Sequence, residues 1–167
     1  LTLGIDPKLF TYKQIKKFFL KYNKIKFINT NLIDQIKKFK VRDIGSFFHL
    51  DKNIIGESHK SKLNKISKYL KKNKSDYLFV SAPENVAWIL NIRGKDGPNT
   101  PMPNSRLIIS KTKRIYLIAN KTKCKKLINK KIINLNQIID IQEILKLKGN
   151  SFVIDESTCS IYFENLI

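Results

Sequence analysis

The stretch from Asn85 to Ser105 constrains this chain more than any other part of the sequence. It begins with an apolar helical turn that carries the only tryptophan, Trp88, and then reaches the corner Arg93-Gly94-Lys95-Asp96. The loop that follows contains several prolines, and each proline restricts its own backbone and that of the residue before it. A strand-like apolar run comes next, at Arg106–Ser110. This order of helix, corner, proline loop and strand is far more specific than the composition.

Strand and helix patterns alternate along the chain, which predicts an α/β fold with a sheet covered by helices. The continuous apolar run Tyr77–Val80 is typical of a central strand that is buried on both faces. Thr11, Asn31 and Ser58 are expected to cap helices. Further strands are predicted at residues 1–5, 25–28, 106–110, 114–119, 131–134 and 152–154, and further helices at 121–129, 136–147 and 155–167.

The helix after Ser58 has the clearest amphipathic pattern in the sequence. It is expected to face the core with Leu63, Ile66, Tyr69 and Leu70, and to face solvent with six lysines between Lys60 and Lys72. The next helix, which Pro83 opens, is expected to bury Val86, Ile89 and Leu90. Trp88 lies among these apolar residues, so we predict a core position for it rather than a role as a ligand platform.

The chain is expected to comprise two parts and to be a piece of a longer protein, since it lacks an initial Met and ends on apolar residues. Residues 1–45 are interpreted as the C-terminal part of a first domain, because two short strands cannot bury a two-sided sheet alone. Residues 46–57 are predicted to be a linker that lies against a surface, since Phe47 and Phe48 would otherwise be exposed. Residues 58–167 are predicted to form a complete second domain.

The net charge of +20 raises the question of a polyanionic partner. Only four of the 33 basic residues are arginine, the side chain best suited to bidentate recognition of bases and phosphates. The lysines are spread along the chain and accompany many Ile and Asn residues, a trio that AT-rich genomes tend to encode. We therefore expect no nucleic-acid partner, and a lysine-rich polyanion-binding module remains the alternative function.

The remaining composition predicts a reduced, cytoplasmic protein. No apolar run approaches the roughly 20 residues of a membrane-spanning helix, so no membrane partner is expected. The two cysteines, Cys124 and Cys159, do not form a disulfide framework. Lysines beside Cys124 would favour a reactive thiolate, but no His or acidic residue lies nearby in sequence, so a catalytic thiol is not expected. His49 and His59 lack further residues at ligand spacing, so no metal site is expected on this chain.

Arg93 and Asp96 are the candidate site residues, at a substrate-facing or domain-facing surface. In one interpretation they form an ion pair that shapes a loop beside a catalytic cleft. In the other, which we favour, the corner is a structural turn in which Asp96 accepts hydrogen bonds from local backbone amides. Both interpretations remain open at this stage.

Five segments, in the right order along the chain, carry a family resemblance. They are Gly4-Ile5-Asp6-Pro7, Asn31-Leu32-Ile33-Asp34, Gly56-Glu57-Ser58 with Lys62-Leu63, the corner Asn91 to Asp96 with its proline loop, and Asp155 through Tyr162. Together they resemble the N-terminal region of three-domain Xaa-Pro aminopeptidases (aminopeptidase P). Two positions depart from the family pattern: Lys95 stands where Ser is common, and Gly97 where a branched apolar residue is usual.

The resemblance implies a creatinase/prolidase N-terminal domain, a ribonuclease H-like fold with a mixed β-sheet flanked by helices. It implies that the whole protein is a metallopeptidase hydrolase that releases the N-terminal residue from peptides with proline second. Its C-terminal catalytic domain, outside this chain, would hold two divalent metals, often manganese.

For this chain, the resemblance implies no catalytic residues and no metal ligands. The implied role is to restrict access to the catalytic cleft, with contacts in a homodimer as a further expectation. The implied partners are the catalytic domain of the same protein and, in the full enzyme, proline-containing peptides.

Overall fold

A computed structural model describes residues 1–19, 21, 24–28, 30–36, 45–51, 53–97 and 99–167. The chain divides into two compact units: Leu1–Arg42 with Asp155–Ile167, and Asp43–Ile154. The last 13 residues therefore group in space with the N-terminal segment. The domain boundaries along the sequence, 1–45, 46–57 and 58–167, stay a prediction. No helix among the described residues has the length and apolar character needed to cross a membrane.

The described residues of the first unit form two parallel strands and three helices. They are β1 (Thr2–Ile5), α1 (Tyr12–Phe19), β2 (Lys24–Phe27), α2 (Leu32–Ile36) and the C-terminal helix, which is the sixth α-helix of the chain (Ile161–Glu164). Thr11 caps α1 as predicted: its hydroxyl accepts from the Gln14 amide at 3.1 Å, and the Gln14 side chain accepts from the Thr11 amide at 2.9 Å. Backbone amides of the C-terminal helix bond the carbonyls of Phe10 and Pro7, which fastens this helix to the N-terminal segment.

The described residues of the second unit form a mixed sheet of five strands, as the predicted fold class requires, together with a separate two-stranded pair. The elements of this unit are β3 (Phe48–His49), α3 (His59–Lys72), β4 (Tyr77–Val80), α4 (Pro83–Leu90), β5 (Ile92–Arg93), β6 (Arg106–Ser110), β7 (Ile115–Ile118), α5 (Lys125–Asn129), β8 (Ile138–Ile139) and β9 (Phe152–Val153). The strand order of the five-stranded sheet is β8-β7-β6-β4-β9, and β3 and β5 form the separate pair. The β4–β6 and β6–β7 pairs are antiparallel, whereas β4–β9 and β7–β8 are parallel.

The core of the second unit lies between this sheet and its helices. Leu107 and Ile109 of β6 join an apolar cluster with residues of α3, α4 and α5, and Ile108 between them is fully buried too. Strand β6 is thus covered on both faces, as expected for an interior strand. β4 also lies inside the sheet, as predicted, between β6 and β9.

The predicted strand at 131–134 and helix at 136–147 are wrong. Residues 131–133 form turns, and β8 lies within the predicted helix, followed by a 3₁₀ helix at Ile141–Leu147. The physical reason is a pair of caps. The Asn134 amide donates to the Gln137 side chain at 2.8 Å, and the Asp140 amide to the Glu143 side chain at 3.1 Å. Each cap starts a short helical turn, so one long helix cannot form.

The predicted helix at 155–167 is shortened in the same way. The Asp155 carboxylate accepts from the Ser157 amide at 2.9 Å and from the Thr158 hydroxyl at 3.1 Å. This local bonding holds the residues after Asp155 in a turn, and regular helix begins only at Ile161.

Candidate functional site

Helix α4 leads directly into the Arg93 corner, which comprises residues 93–96. Ala82 precedes it in an extended conformation, and Pro83 occupies the first helical turn, where its missing N–H costs little. Val86, Ile89 and Leu90 are buried, as predicted. The helix ends at Asn91, whose φ of 55° is left-handed, a conformation that asparagine tolerates better than most residues.

A buried lysine holds this helix end. The Lys62 ammonium donates to the Trp88 carbonyl at 2.5 Å and to Asn91 Oδ1 at 2.7 Å, while Asn91 Nδ2 donates to the Glu57 carbonyl at 2.9 Å. A cation at the C-terminal end of a helix is favourable, because unpaired carbonyls concentrate negative potential there. Burial lowers the pKa of Lys62 from its ordinary value. The network ties α3, α4 and the residue before Ser58 together.

The prediction that all six lysines of α3 face solvent is wrong at Lys62, which is only 4% exposed. Tyr69, predicted inward, is 54% exposed. The sequence did hold one signal for Lys62: it lies four residues before Ile66, on the edge of the apolar stripe. Hydrophobicity alone does not reveal that a lysine at that position has two carbonyl-type acceptors within reach.

Trp88 lies at the surface, with 58% of its area exposed, so the predicted core position is wrong. Val86, Ala87, Ile89 and Leu90 already fill the buried face of α4. The Lys62 ammonium lies 4.1 Å from the centroid of the Trp88 ring, close enough for a cation–π interaction. The indole is therefore exposed and also held in a defined orientation.

Arg93 and Asp96, the predicted site residues, have different partners. Arg93 Nη1 donates to the carbonyls of Ile92 at 2.8 Å and Ala87 at 3.3 Å. Asp96 Oδ2 accepts from the Asn104 amide at 2.6 Å, and Asp96 Oδ1 forms an ion pair with Lys123. Within the described part of the chain no ion pair joins Arg93 to Asp96, the pairing that one of the two interpretations requires. Arg93 thus fastens the corner to α4, while Asp96 fastens it to the proline loop and to Lys123. The role of these two residues at a functional surface stays a prediction.

The segment before α3 completes the corner. Strand β3 pairs with β5 in antiparallel register, Phe48 with Arg93 and His49 with Ile92. Phe47 is fully buried, and its amide donates to the Lys123 carbonyl at 2.7 Å. The expectation that this segment lies against a surface is confirmed, and it also contributes a strand that the pattern did not indicate.

Gly94 is the tightest point of the corner. A Cβ atom added there would lie 2.8 Å from Pro103 Cα and 3.0 Å from both the Met102 carbonyl oxygen and Phe47 Cδ1. Two of these neighbours are backbone atoms, which cannot rotate away. The proline loop therefore packs directly on the glycine backbone, and the Gly94 amide donates to the Pro101 carbonyl at 3.0 Å.

The substitution Gly94→Ala is expected to lower the free energy of unfolding by about 1–3 kcal/mol, because overpacking forces the backbone to shift. Gly56→Ala is the matched control, since nothing lies within 4 Å of a Cβ added at Gly56. Urea denaturation of both variants measures the difference. Equal stabilities for the two variants would contradict the close packing described at Gly94.

The cysteines and histidines are the other residue types that could react or bind a metal. Cys124 is fully buried, and burial raises the pKa of its thiol to about 11, so it stays protonated near neutral pH. Burial also raises the pKa of Cys159, to about 12. No group of three or more His, Cys, Asp or Glu residues that could hold a metal ion occurs among the described residues. The structure does bring His49 and His59 together, with ring centroids 5.8 Å apart, a contact that sequence spacing did not indicate.

Comparison with known proteins places this geometry in context. Xaa-Pro aminopeptidase 1 of Dictyostelium discoideum is 32% identical over 124 residues, which are 66% of this chain and 20% of that protein. A probable Xaa-Pro aminopeptidase P of Laccaria bicolor is 32% identical over 106 residues, 60% of this chain and 16% of that protein. The chain thus spans no more than about a fifth of the length of these curated relatives.

The same fold occurs in a solved structure, the X-prolyl aminopeptidase of Caenorhabditis elegans, described as a cytosolic enzyme with a di-nuclear active site. The two share 21% sequence identity with a TM-score of 0.78, over 99% of this chain and 30% of that one. The family model of the creatinase/prolidase N-terminal domain matches residues 13–167. With helix α4, the braced corner and the mixed sheet in place, this chain belongs to the creatinase/prolidase N-terminal domain family.

Proposed function

We propose that this chain is the non-catalytic N-terminal region of a metal-dependent Xaa-Pro aminopeptidase, and that it restricts access to the cleft of a following catalytic domain. The observation that carries the proposal is the family match over residues 13–167, in a chain that spans only 16–24% of the Xaa-Pro aminopeptidase relatives compared with it. In this proposal the peptides have proline second, the enzyme acts in the cytoplasm, and the chain contributes to a homodimer.

The described residues of this chain do not fit the pair of divalent metals, proposed to be manganese, that such an enzyme uses. Asp96 is neutralised by Lys123, and Asp76 by Lys111 at 2.7 Å. The two histidines contact each other without a third ligand-type residue among the described ones. We therefore assign the metals to the catalytic domain and derive no chemical step from this chain.

The proposed contribution of this chain is a rigid wall. The Arg93 corner is braced through Asp96, Lys123 and Gly94, so a peptide pressing on it would meet a fixed surface. We assign Trp88 to the same wall, since it is a large exposed ring, oriented by Lys62, on the helix that leads into the corner. A wall beside a cleft selects short substrates because it excludes longer peptides. It can do so only if it does not move when a peptide presses on it.

The test is to replace Trp88 and Arg93 by alanine, one at a time, in the full-length protein and to measure kcat/KM for an Xaa-Pro dipeptide and for a peptide of about ten residues. We expect each variant to raise the ratio of long-peptide to dipeptide kcat/KM by up to about tenfold, which corresponds to about 1.4 kcal/mol of lost discrimination. Tyr69→Ala, which removes an equally exposed aromatic ring from α3, is the control and should leave the ratio unchanged. An unchanged ratio in both test variants would contradict the wall.

The alternative, a polyanion-binding module, stays a prediction. Exposed lysines occur on α1 of the first unit and on α3 and α5 of the second, rather than on a single element. This alternative requires binding to a polyanion such as heparin with an affinity that falls steeply with salt, because each neutralised charge releases counterions.

A further inference from the structure

Two histidines that are ten residues apart in sequence meet in the second unit. The rings of His49, on β3, and His59, the first residue of α3, are 5.8 Å apart at an interplanar angle of 85°. His49 Nε2 is buried and has no hydrogen-bond partner among the described residues. A proton added at this atom would find no acceptor, and it would place a positive charge against the second ring.

Three of the four charged groups that act on the pair among the described residues oppose protonation. Lys130 and Asp51 act on His49, and Lys60 and Lys62 act on His59; Asp51 alone favours the protonated form. Burial, followed by Lys130, lowers the pKa of His49, against smaller opposing effects of the Leu50 backbone and Asp51. Burial, followed by His49 and the two lysines, lowers the pKa of His59. The first residue of a helix is in addition a poor place for a cation, since the helix dipole is positive there.

A metal ion does not explain this pair. No third ligand-type residue completes a metal-binding group among the described residues. Three lysines around two imidazoles also repel a divalent cation as they repel a proton.

The pair is placed where the segment before α3 attaches to the Arg93 corner. His49 lies opposite Ile92 in the β3–β5 ladder, and the next amide, that of Leu50, donates to the Asn91 carbonyl at 3.0 Å. This two-residue ladder is short, so its stability depends on the side chains at its end. The ring contact lies at the end of this ladder and adds to the anchoring that buried Phe47 gives the same segment.

We propose that His49 and His59 form a pH-sensitive clasp: while both imidazoles are neutral, strand β3 stays closed on β5, and protonation of either one opens this segment and loosens the Arg93 corner. The proposal concerns the fold of this chain and does not depend on the proposed role beside a catalytic cleft.

The sign of the effect follows from linkage. A group with a lowered pKa in the closed state binds more protons when the segment is open, so closure weakens as the pH falls. The closed state has its full stability above the ordinary histidine pKa of 6.5. That stability is lost as the pH decreases from 6.5 to the lowered values, and it does not fall further below them.

NMR on the 167-residue chain tests the clasp in two ways. Imidazole resonances report the two pKa values directly, and both are expected below 6.5. Amide hydrogen exchange of Leu50, corrected for its intrinsic pH dependence, is expected to show at least about threefold less protection at pH 5.5 than at pH 7.5, because the open segment binds protons more readily. The Ser110 amide, bonded to the Arg114 carbonyl at 2.8 Å in the β6–β7 hairpin, is the internal control and should change less than about twofold.

A double variant, His49→Phe with His59→Gln, removes both titrating groups. Its Leu50 protection is expected to be independent of pH over the same range, with the Ser110 amide again as reference. Imidazoles that titrate at or above 6.5 in the unmodified chain, or Leu50 protection that does not change with pH there, would overturn the proposal. Neither of these readouts depends on the variant folding.

Discussion

Phe47→Ala is expected to lower the free energy of unfolding of the second unit by about 3–5 kcal/mol, the usual cost of emptying a buried phenylalanine site. Phe47 is fully buried in the main apolar cluster. Its Cδ1 atom packs on Gly94, only 3.0 Å from where a Cβ atom would lie. Truncation leaves a cavity lined partly by backbone, which cannot collapse to fill it. Because one ring anchors both β3 and the corner, the loss affects two elements at once.

Urea denaturation followed by the fluorescence of Trp88, the single tryptophan, measures this effect within the second unit. Phe48→Ala is the matched control: it removes the same atoms from the next residue, which is half-buried and begins strand β3. We expect a clearly smaller loss for Phe48→Ala. If the two variants lose equal stability, Phe47 does not have the anchoring role described here.

Lys62→Met is expected to destabilise the second unit by about 2–4 kcal/mol. Methionine preserves most of the side-chain volume but leaves the Trp88 carbonyl and Asn91 Oδ1 without their donor. Each buried acceptor left unsatisfied costs about 1–3 kcal/mol, and part of this is offset because an ammonium no longer has to be desolvated. The loss of the cation–π contact with Trp88 adds to the effect.

Circular dichroism during urea denaturation is the appropriate measurement, since the substitution alters the surroundings of Trp88 itself. Lys68→Met on the exposed face of α3 is the control, with an expected change within about 0.5 kcal/mol. A Lys62→Met variant as stable as the Lys68→Met variant would show that the buried ammonium does not stabilise the end of α4.

The architecture could be predicted from the sequence because local patterns and their order determine most of it. The apolar run at Tyr77–Val80, the cap at Ser58 and the hairpin between β6 and β7 were recognised and are present. The collinear motifs from Gly4 to Tyr162 indicated the family that the comparison shows. These signals are short-range, or they depend on an order of elements that a sequence displays directly.

The orientation of side chains on the helices was predicted less well. Trp88 was assigned to the core and Lys62 to solvent, and the structure reverses both. A hydrophobicity pattern treats tryptophan as apolar and lysine as charged. It does not show that other apolar residues already fill the buried face of α4, or that a lysine stem can bury itself while its ammonium reaches carbonyl groups.

Contacts between distant residues were missed for a different reason. Asp96 pairs with Lys123, 27 residues away, and His49 meets His59 across the junction of β3 and α3. Sequence spacing reports such pairs only when both residues share one helix or one strand. The partners that brace the candidate corner therefore became visible only in the structure, and the role of Arg93 and Asp96 as site residues stays a prediction.

The most direct test of the central claim compares the hydrolysis of an Xaa-Pro peptide, with added manganese, by the 167-residue chain and by the same protein extended to the length of its Xaa-Pro aminopeptidase relatives. The proposal predicts activity in the extended protein only, because the metal-binding residues are assigned to the domain that follows. Hydrolysis by the 167-residue chain alone would contradict it and would place a catalytic site among residues described here as structural.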